Sequence, residues 1–199
     1  VFRQSFVRQN LRYVVQKEEN KAARLLKLIA SIGGSGIVYV RNRKKTEELS
    51  VFLKKNKITS SAYHAGLKFE DREKVQQQWL DNKIQVICAT NAFGMGIDKP
   101  DVRFVVHIDL PESIEAYFQE AGRAGRDGKI AYSTIFYTKA DQERLLENFK
   151  FTFPEMDYIR QCYQAICNDY QVAVGSREGM RVEFEIDKIC GSYNLQPVL

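Results

Sequence analysis

The sequence alternates short apolar runs with segments of helical period, and this alternation narrows the possible folds more than any other feature. Residues 36–40 (Gly-Ile-Val-Tyr-Val), 58–63, 84–88, 102–108 and 130–137 are short runs carrying β-branched and aromatic residues. Between them, apolar residues recur at three- and four-residue spacing. Ala22, Leu25, Leu26 and Ile29 form one helical stripe, stopped by Gly33-Gly34. Residues 46–52 form a second, with Leu49, Phe52 and Leu53 inward. Residues 69–80 form a third, with Glu73, Lys74 and Gln77 on its polar face. Residues 113–120 and 140–149 read as two more helices. Apolar strands separated by helices predict an α/β fold: a mostly parallel sheet covered by helices on both faces. In such sheets, functional loops gather at the carboxyl ends of the strands.

The pattern changes near residues 151–154. Pro154 is expected to start a helix with Met156, Ile159, Tyr163, Ile166 and Tyr170 on one face. Residues 171–176 lose the pattern, and Val182 and Phe184 alternate like a strand. Asp187 is placed to cap a short helix through Tyr193. Two parts are therefore expected: an α/β domain over residues 1–150, and a short, mainly helical extension over 151–199 that begins a following domain.

Four junctions carry chemistry. Residues 119–128 read Gln-Glu-Ala-Gly-Arg-Ala-Gly-Arg-Asp-Gly, with Arg123 and Arg126 three apart and each beside a glycine. That spacing puts two guanidinium groups on one side of a turn with little bulk around them. Guanidinium is a permanently charged, forked donor that matches phosphate oxygens. The plainer reading is a polar glycine-rich turn with solvated arginines. Upstream, Thr90-Asn91-Ala92-Phe93-Gly94-Met95-Gly96-Ile97-Asp98-Lys99-Pro100 follows the run 84–88. Tyr63-His64-Ala65-Gly66-Leu67 ends the run 58–63, and Arg41-Asn42-Arg43 follows 36–40.

In these four motifs, in this order, the chain resembles the second motor domain of superfamily 2 helicases, and within them the RecQ family. The resemblance runs from about Phe2 to about Asp141. It implies a RecA-like sheet and assigns roles to matching positions. Arg126 is similar to the arginine finger on the γ-phosphate of ATP, and Arg123 to its partner. Gln119 is placed near the phosphates. Asp98 matches the residue that meets the ribose, with Gly96 allowing close approach. Asn42, Arg43, His64, Gly66 and Thr90 lie in loops that face the DNA backbone in this family. Where other helicase families often place an arginine, this chain has Met95, so that phosphate contact is lost. The implied activity is ATP-dependent, 3′–5′ DNA unwinding on single-stranded and duplex DNA. The implied cofactor is ATP with Mg2+, held mainly by the first RecA-like domain of the same protein.

Composition fits this reading. The net charge is +5, and residues from Phe151 onward carry seven acids and four bases, which leaves +8 on residues 1–150. A basic front portion suits a phosphate-rich partner. No run approaches membrane-spanning length, and no secretory signal opens the chain, so a cytoplasmic location is expected, nucleoid-associated in a bacterium. Four irregularly spaced cysteines fit reduced thiols. RecQ enzymes typically carry a four-cysteine zinc module after the motor, but only Cys162, Cys167 and Cys190 occur here in that region. Cys162 and Cys167 would lie roughly 140° apart around a helix, and no Cys-x-x-Cys pair exists, so no zinc is expected. His64 and His107 are too few for a metal site or a hydrolytic triad. No G-x-x-x-x-G-K-[ST] phosphate loop occurs. The chain opens Val1-Phe2-Arg3 and is expected to be an excised portion inactive toward ATP by itself, with the phosphate cradle upstream. Two other classes stay open: a nucleic-acid-binding module without catalysis, and an α/β nucleotide enzyme of unrelated chemistry. An RNA-remodelling relative is a nearer alternative.

Overall fold

A computed structural model describes residues 8–94, 97–172 and 185–195. The chain divides into two compact units that part between Gln142 and Glu143.

The first unit is built on a sheet of six parallel strands. They are β1 (Leu11–Lys17), β2 (Ser35–Tyr39), β3 (Ser60–Tyr63), β4 (Val86–Ala89), β5 (Val102–His107) and β6 (Ala131–Tyr137). Their spatial order is β1-β6-β5-β2-β4-β3. The helices are α1 (Lys21–Ile32), α2 (Arg43–Lys55), α3 (Phe69–Leu80), α4 (Ile114–Ala121) and α5 (Lys139–Thr152), the last crossing the division.

The central strands are apolar on both sides because each face has its own core. Ile37 and Tyr39 of β2, Ile87 and Ala89 of β4 and Val105 of β5 join a cluster with Trp79 of α3, Phe93 and Ala124. The alternate residues Val38, Val86, Cys88, Phe104 and Val106 join Leu25, Leu28 and Ile29 of α1 and Leu53 of α2. The two-residue period of a strand sends neighbours to opposite faces, so a doubly covered sheet needs an unbroken apolar run. Gly36 shows how closely this packs: a Cβ there would lie 2.0 Å from the Phe104 ring.

Strand β1 was not expected from the sequence. It pairs with β6 along its whole length, from Leu11↔Ala131 to Lys17↔Tyr137. As an edge strand it leaves Arg12, Tyr13, Val14, Val15 and Lys17 exposed, and its apolar run, Tyr13-Val14-Val15, is short and flanked by Arg12 and Gln16. Helix α2 begins at Arg43 rather than Thr46. Its first turn is wholly polar, so periodicity could not reveal it, and the Asn42 side chain caps it by accepting from Lys44 N–H at 2.8 Å.

The second unit holds α6 (Met156–Asp169) and α7 (Ile186–Tyr193), which pack on each other. On α6, Met156, Ile159 and Tyr163 of the apolar stripe are exposed, at 62%, 46% and 56%, and Ala165 and Cys167 are buried. One expectation is corrected here. Asp187 does not cap α7. The helix already starts at Ile186 after Glu185, so Asp187 lies in the first turn, where its negative charge complements the positive end of the helix dipole. Val182, Phe184 and Pro197 fall outside the described residues. Cys88 and Cys167 are buried, Cys162 and Cys190 half-buried, and all four are free thiols. Among the described residues no helix is long and apolar enough to cross a membrane.

Candidate functional site

The arginine loop begins where α4 ends. Ser113 caps α4 by accepting from Ala116 N–H at 3.1 Å, and Gly122 closes it. Gly125 then turns the chain at φ +63°, where any Cβ would fall 2.8 Å from that of Ala131. Gly125 N–H donates to the Val102 carbonyl at 2.8 Å and Asp127 N–H to that of Pro100 at 3.1 Å, tying the loop to the head of β5. Arg8 donates to the Gly122 and Gly125 carbonyls, and Asn10 to those of Gly125 and Lys129. Arg103 pairs with Asp127 at 2.6 Å, and this hydrogen bond holds the Asp127 carboxyl below its usual range.

The two arginines both reach the segment after β4, but differently. Arg123 is 7% exposed and donates to the Gly94 carbonyl. A Cβ on Gly94 would come within 2.7 Å of its guanidinium. Beside it, the Tyr39 hydroxyl donates to the Phe93 carbonyl at 2.9 Å. Burial pushes that hydroxyl's pKa upward, and Arg123 partly opposes the shift. Tyr39 stacks on His107, whose Nε2 lies 2.7 Å from Glu120. Arg126 has a side chain 35% exposed. It donates to the Ile97 carbonyl at 3.0 Å and to Asp98 Oδ1 at 2.7 Å. The two residues expected at phosphate and ribose are therefore neighbours, while Arg123 is turned inward as a clamp. Asp98 is 84% exposed, and an ion pair so open to water is worth about 0–1 kcal/mol. An incoming anion can replace it.

Gln119 is exposed on the last turn of α4. Gly96 and Met95 lie outside the described residues. Lys99 is 3% exposed, held by the Leu80 carbonyl, Asn82 and Asp101, so it anchors the turn after Asp98.

A second group of predicted residues gathers at the carboxyl ends of β2, β4 and β3, which are adjacent in the sheet. Asn42 and Arg43 are exposed at the start of α2. His64 is buried, with Nε2 3.2 Å from Glu47 Oε1. A Cβ on Gly66 would lie 3.2 Å from both Arg43 Nη1 and His64 Nδ1, so these three residues border one space. Thr90 is buried at the end of β4, with its N–H on the Tyr63 carbonyl and its hydroxyl accepting from Ala92 N–H at 3.4 Å. Thr90 and Asp98 thus bracket one short segment, 90–98, that touches both groups.

Several supporting residues were not singled out from the sequence: Arg8, Asn10, Tyr39, Glu47, Arg103 and Glu120. Arg8 and Asn10 act across more than a hundred residues, and no local pattern carries such a signal.

The residues present fit a phosphate and ribose edge, because Arg126 offers a half-open guanidinium beside an exchangeable carboxylate. Among the described residues no three His, Cys, Asp or Glu side chains converge.

Comparison with known proteins identifies the domain. Residues 20–128 match the helicase conserved C-terminal domain. The chain is 48% identical over 148 residues to the RecQ-like DNA helicase blm-1 of Caenorhabditis elegans, covering 73% of this chain and 15% of that protein. It is 45% identical over 148 residues to the ATP-dependent DNA helicase RecQ of Haemophilus influenzae, covering 72% of this chain and 24% of that protein. The chain thus spans a quarter or less of these two relatives. Among solved structures it is similar to a DEAD box protein from Methanococcus jannaschii, with a TM-score of 0.60 at 27% identity, covering 72% of this chain and 40% of that one. On the family match, the parallel sheet and the arrangement of these loops, the chain belongs to the helicase conserved C-terminal domain family, in its RecQ branch.

Proposed function

We propose that this chain is the second motor domain, with the start of the C-terminal region, of an ATP-dependent 3′–5′ DNA helicase of RecQ type. Residues 1–150 form the motor domain and 151–199 the extension. The protein works in the cytoplasm, associated with the nucleoid if the source is a bacterium, and holds no zinc in this region. ATP, when bound, supplies the phosphoryl group that is transferred to water. Arg126 exchanges Asp98 for phosphate oxygens and neutralises charge that develops in the transition state. Asp98, once released, meets the ribose hydroxyls, and Gly96 permits close approach. Gln119 hydrogen-bonds near the phosphates. Arg123 holds the Gly94 carbonyl and so couples the arginine loop to segment 90–98. Asn42, Arg43, His64, Gly66 and Thr90 contact the DNA backbone. Magnesium and the phosphate cradle belong to the first RecA-like domain, which these residues face across the nucleotide.

The observation that carries this reading is the 2.7 Å pair of Arg126 with Asp98, reached from two separate motifs. Non-specific binding to nucleic acid needs no such convergence. The test is Arg126→Ala in the enzyme joined to its first motor domain. ATP turnover is expected to fall by roughly 10³–10⁵, with nucleotide affinity changed far less and the melting temperature unaltered. Near-normal turnover in a folded variant would remove the finger role.

A further inference from the structure

His64 is the most enclosed of the side chains proposed for the DNA track that could donate a proton. Its side chain is 6% exposed, and its two ring nitrogens differ in surroundings. Nε2 faces Glu47 Oε1 at 3.2 Å, whereas Nδ1 is buried without a hydrogen-bond partner among the described residues. An orphaned buried polar atom is costly and calls for an explanation. Nδ1 borders the space above Gly66, where a Cβ would lie 3.2 Å from it and 3.2 Å from Arg43 Nη1. The space is thus edged by a guanidinium and an imidazole nitrogen, a pairing suited to an oxyanion.

The tautomer decides what Nδ1 can do. With Nε2–H donating to Glu47, the neutral ring carries its lone pair on Nδ1, which repels an anion. Only the imidazolium offers N–H groups at both positions. We propose that His64 grips a DNA phosphate as the imidazolium, taking up one proton on binding, and that Glu47 is a positioning residue that stabilises this charged form. The proposal rests on the reading of residues 42–43, 64–66 and 90 as a DNA track. Among the described residues, the charged groups placed at the ring are Arg43 and Glu47, one turn apart on α2. Arg43 opposes a positive ring and Glu47 favours it. An arriving phosphate neutralises Arg43 and adds a second negative charge.

The sign follows from linkage. Binding that takes up a proton is strongest at low pH and weakens as pH rises past the histidine range, about 6.5 for an ordinary imidazole. The test is fluorescence anisotropy of a short labelled oligothymidylate with the 199-residue chain, from pH 6 to 8.5. Wild type should lose affinity progressively from pH 6 to pH 8.5, by at most about tenfold per pH unit. His64→Gln should be flat with pH, at the wild-type high-pH affinity. Glu47→Gln keeps a carbonyl acceptor for Nε2–H but no charge. Because Glu47 is 62% exposed, this variant should lose roughly two- to fivefold at pH 7 and shift the profile to lower pH. A purely structural Glu47 would leave the profile in place. Calorimetry of wild type in two buffers of different ionisation enthalpy counts the proton without any variant; net uptake of a fraction of a proton is expected, and zero uptake overturns the coupling. A pH-flat wild type whose affinity still falls on Arg43→Ala overturns the proton coupling and leaves the track standing. Affinity unchanged by both Arg43→Ala and His64→Gln overturns the track and the proposal with it.

Discussion

At the scale of single residues, burial separates two arginines that look equivalent in the sequence. Arg123 is enclosed and spends its guanidinium on a backbone carbonyl; Arg126 is half-open and holds an exchangeable partner. The planar fork matters to the proposed role of Arg126. Arg126→Lys in the two-domain enzyme is therefore expected to restore little of the turnover lost in Arg126→Ala, because ammonium is a point charge without two parallel donors. Recovery above about a tenth of wild-type turnover would show that charge alone suffices. Arg43 is exposed at the head of α2 and should behave differently. Arg43→Ala is predicted to weaken single-strand binding and to reduce the slope of log K against log salt by about 0.7, the share of one phosphate contact. Binding measured across a salt series checks this, and an unchanged slope would remove the contact.

At the scale of elements, the joint between β6 and α5 is an ionic knot. Lys21 on α1 pairs with Asp141 in the first turn of α5, and Asp141 also accepts from Thr138 N–H at 2.8 Å and Thr138 Oγ1 at 2.7 Å. Burial pushes the Asp141 carboxyl up, but Lys21 and Thr138 outweigh it and hold the pKa at about 2. A depressed carboxylate stabilises the fold above its unfolded pKa, about 3.9, and that stability is lost as pH falls through 2. The pair should contribute on the order of 2 kcal/mol at neutral pH. Asp141→Asn should lower the urea midpoint at pH 7, and the gap from wild type should narrow sharply by pH 2.5. A gap independent of pH would rule out the carboxylate as its source. Within the sheet, β4 shows the opposite effect. Burial pushes the Cys88 thiol up to about 12, which keeps it protonated and inert in the core.

At the scale of the whole molecule, the chain presents one lip of a proposed composite site. Its sequence contains an arginine loop and lacks a phosphate loop. Residues 1–199 alone are therefore expected to show no DNA-stimulated ATP turnover. Measurable turnover by the pure chain, abolished by Arg126→Ala, would show that one domain holds the complete site.

The alternation of apolar runs and helical stripes was enough to reach an α/β sheet covered on both faces, because each inner strand's burial is written in its own four to seven residues. The four motif loops were equally local, and so was the resemblance they carry. Edge strand β1 was not legible, since its apolar run is only Tyr13-Val14-Val15, between charged and polar residues. The polar first turn of α2 escaped for the same reason. Only the tertiary structure decided which arginine faces water and which is enclosed, that Arg126 meets Asp98, and that Glu47 backs His64. Arg8 and Asn10 brace the arginine loop from more than a hundred residues away. Such contacts depend on which strands lie side by side. That order, β1-β6-β5-β2-β4-β3, is set by global packing, whereas periodicity records only what each segment buries.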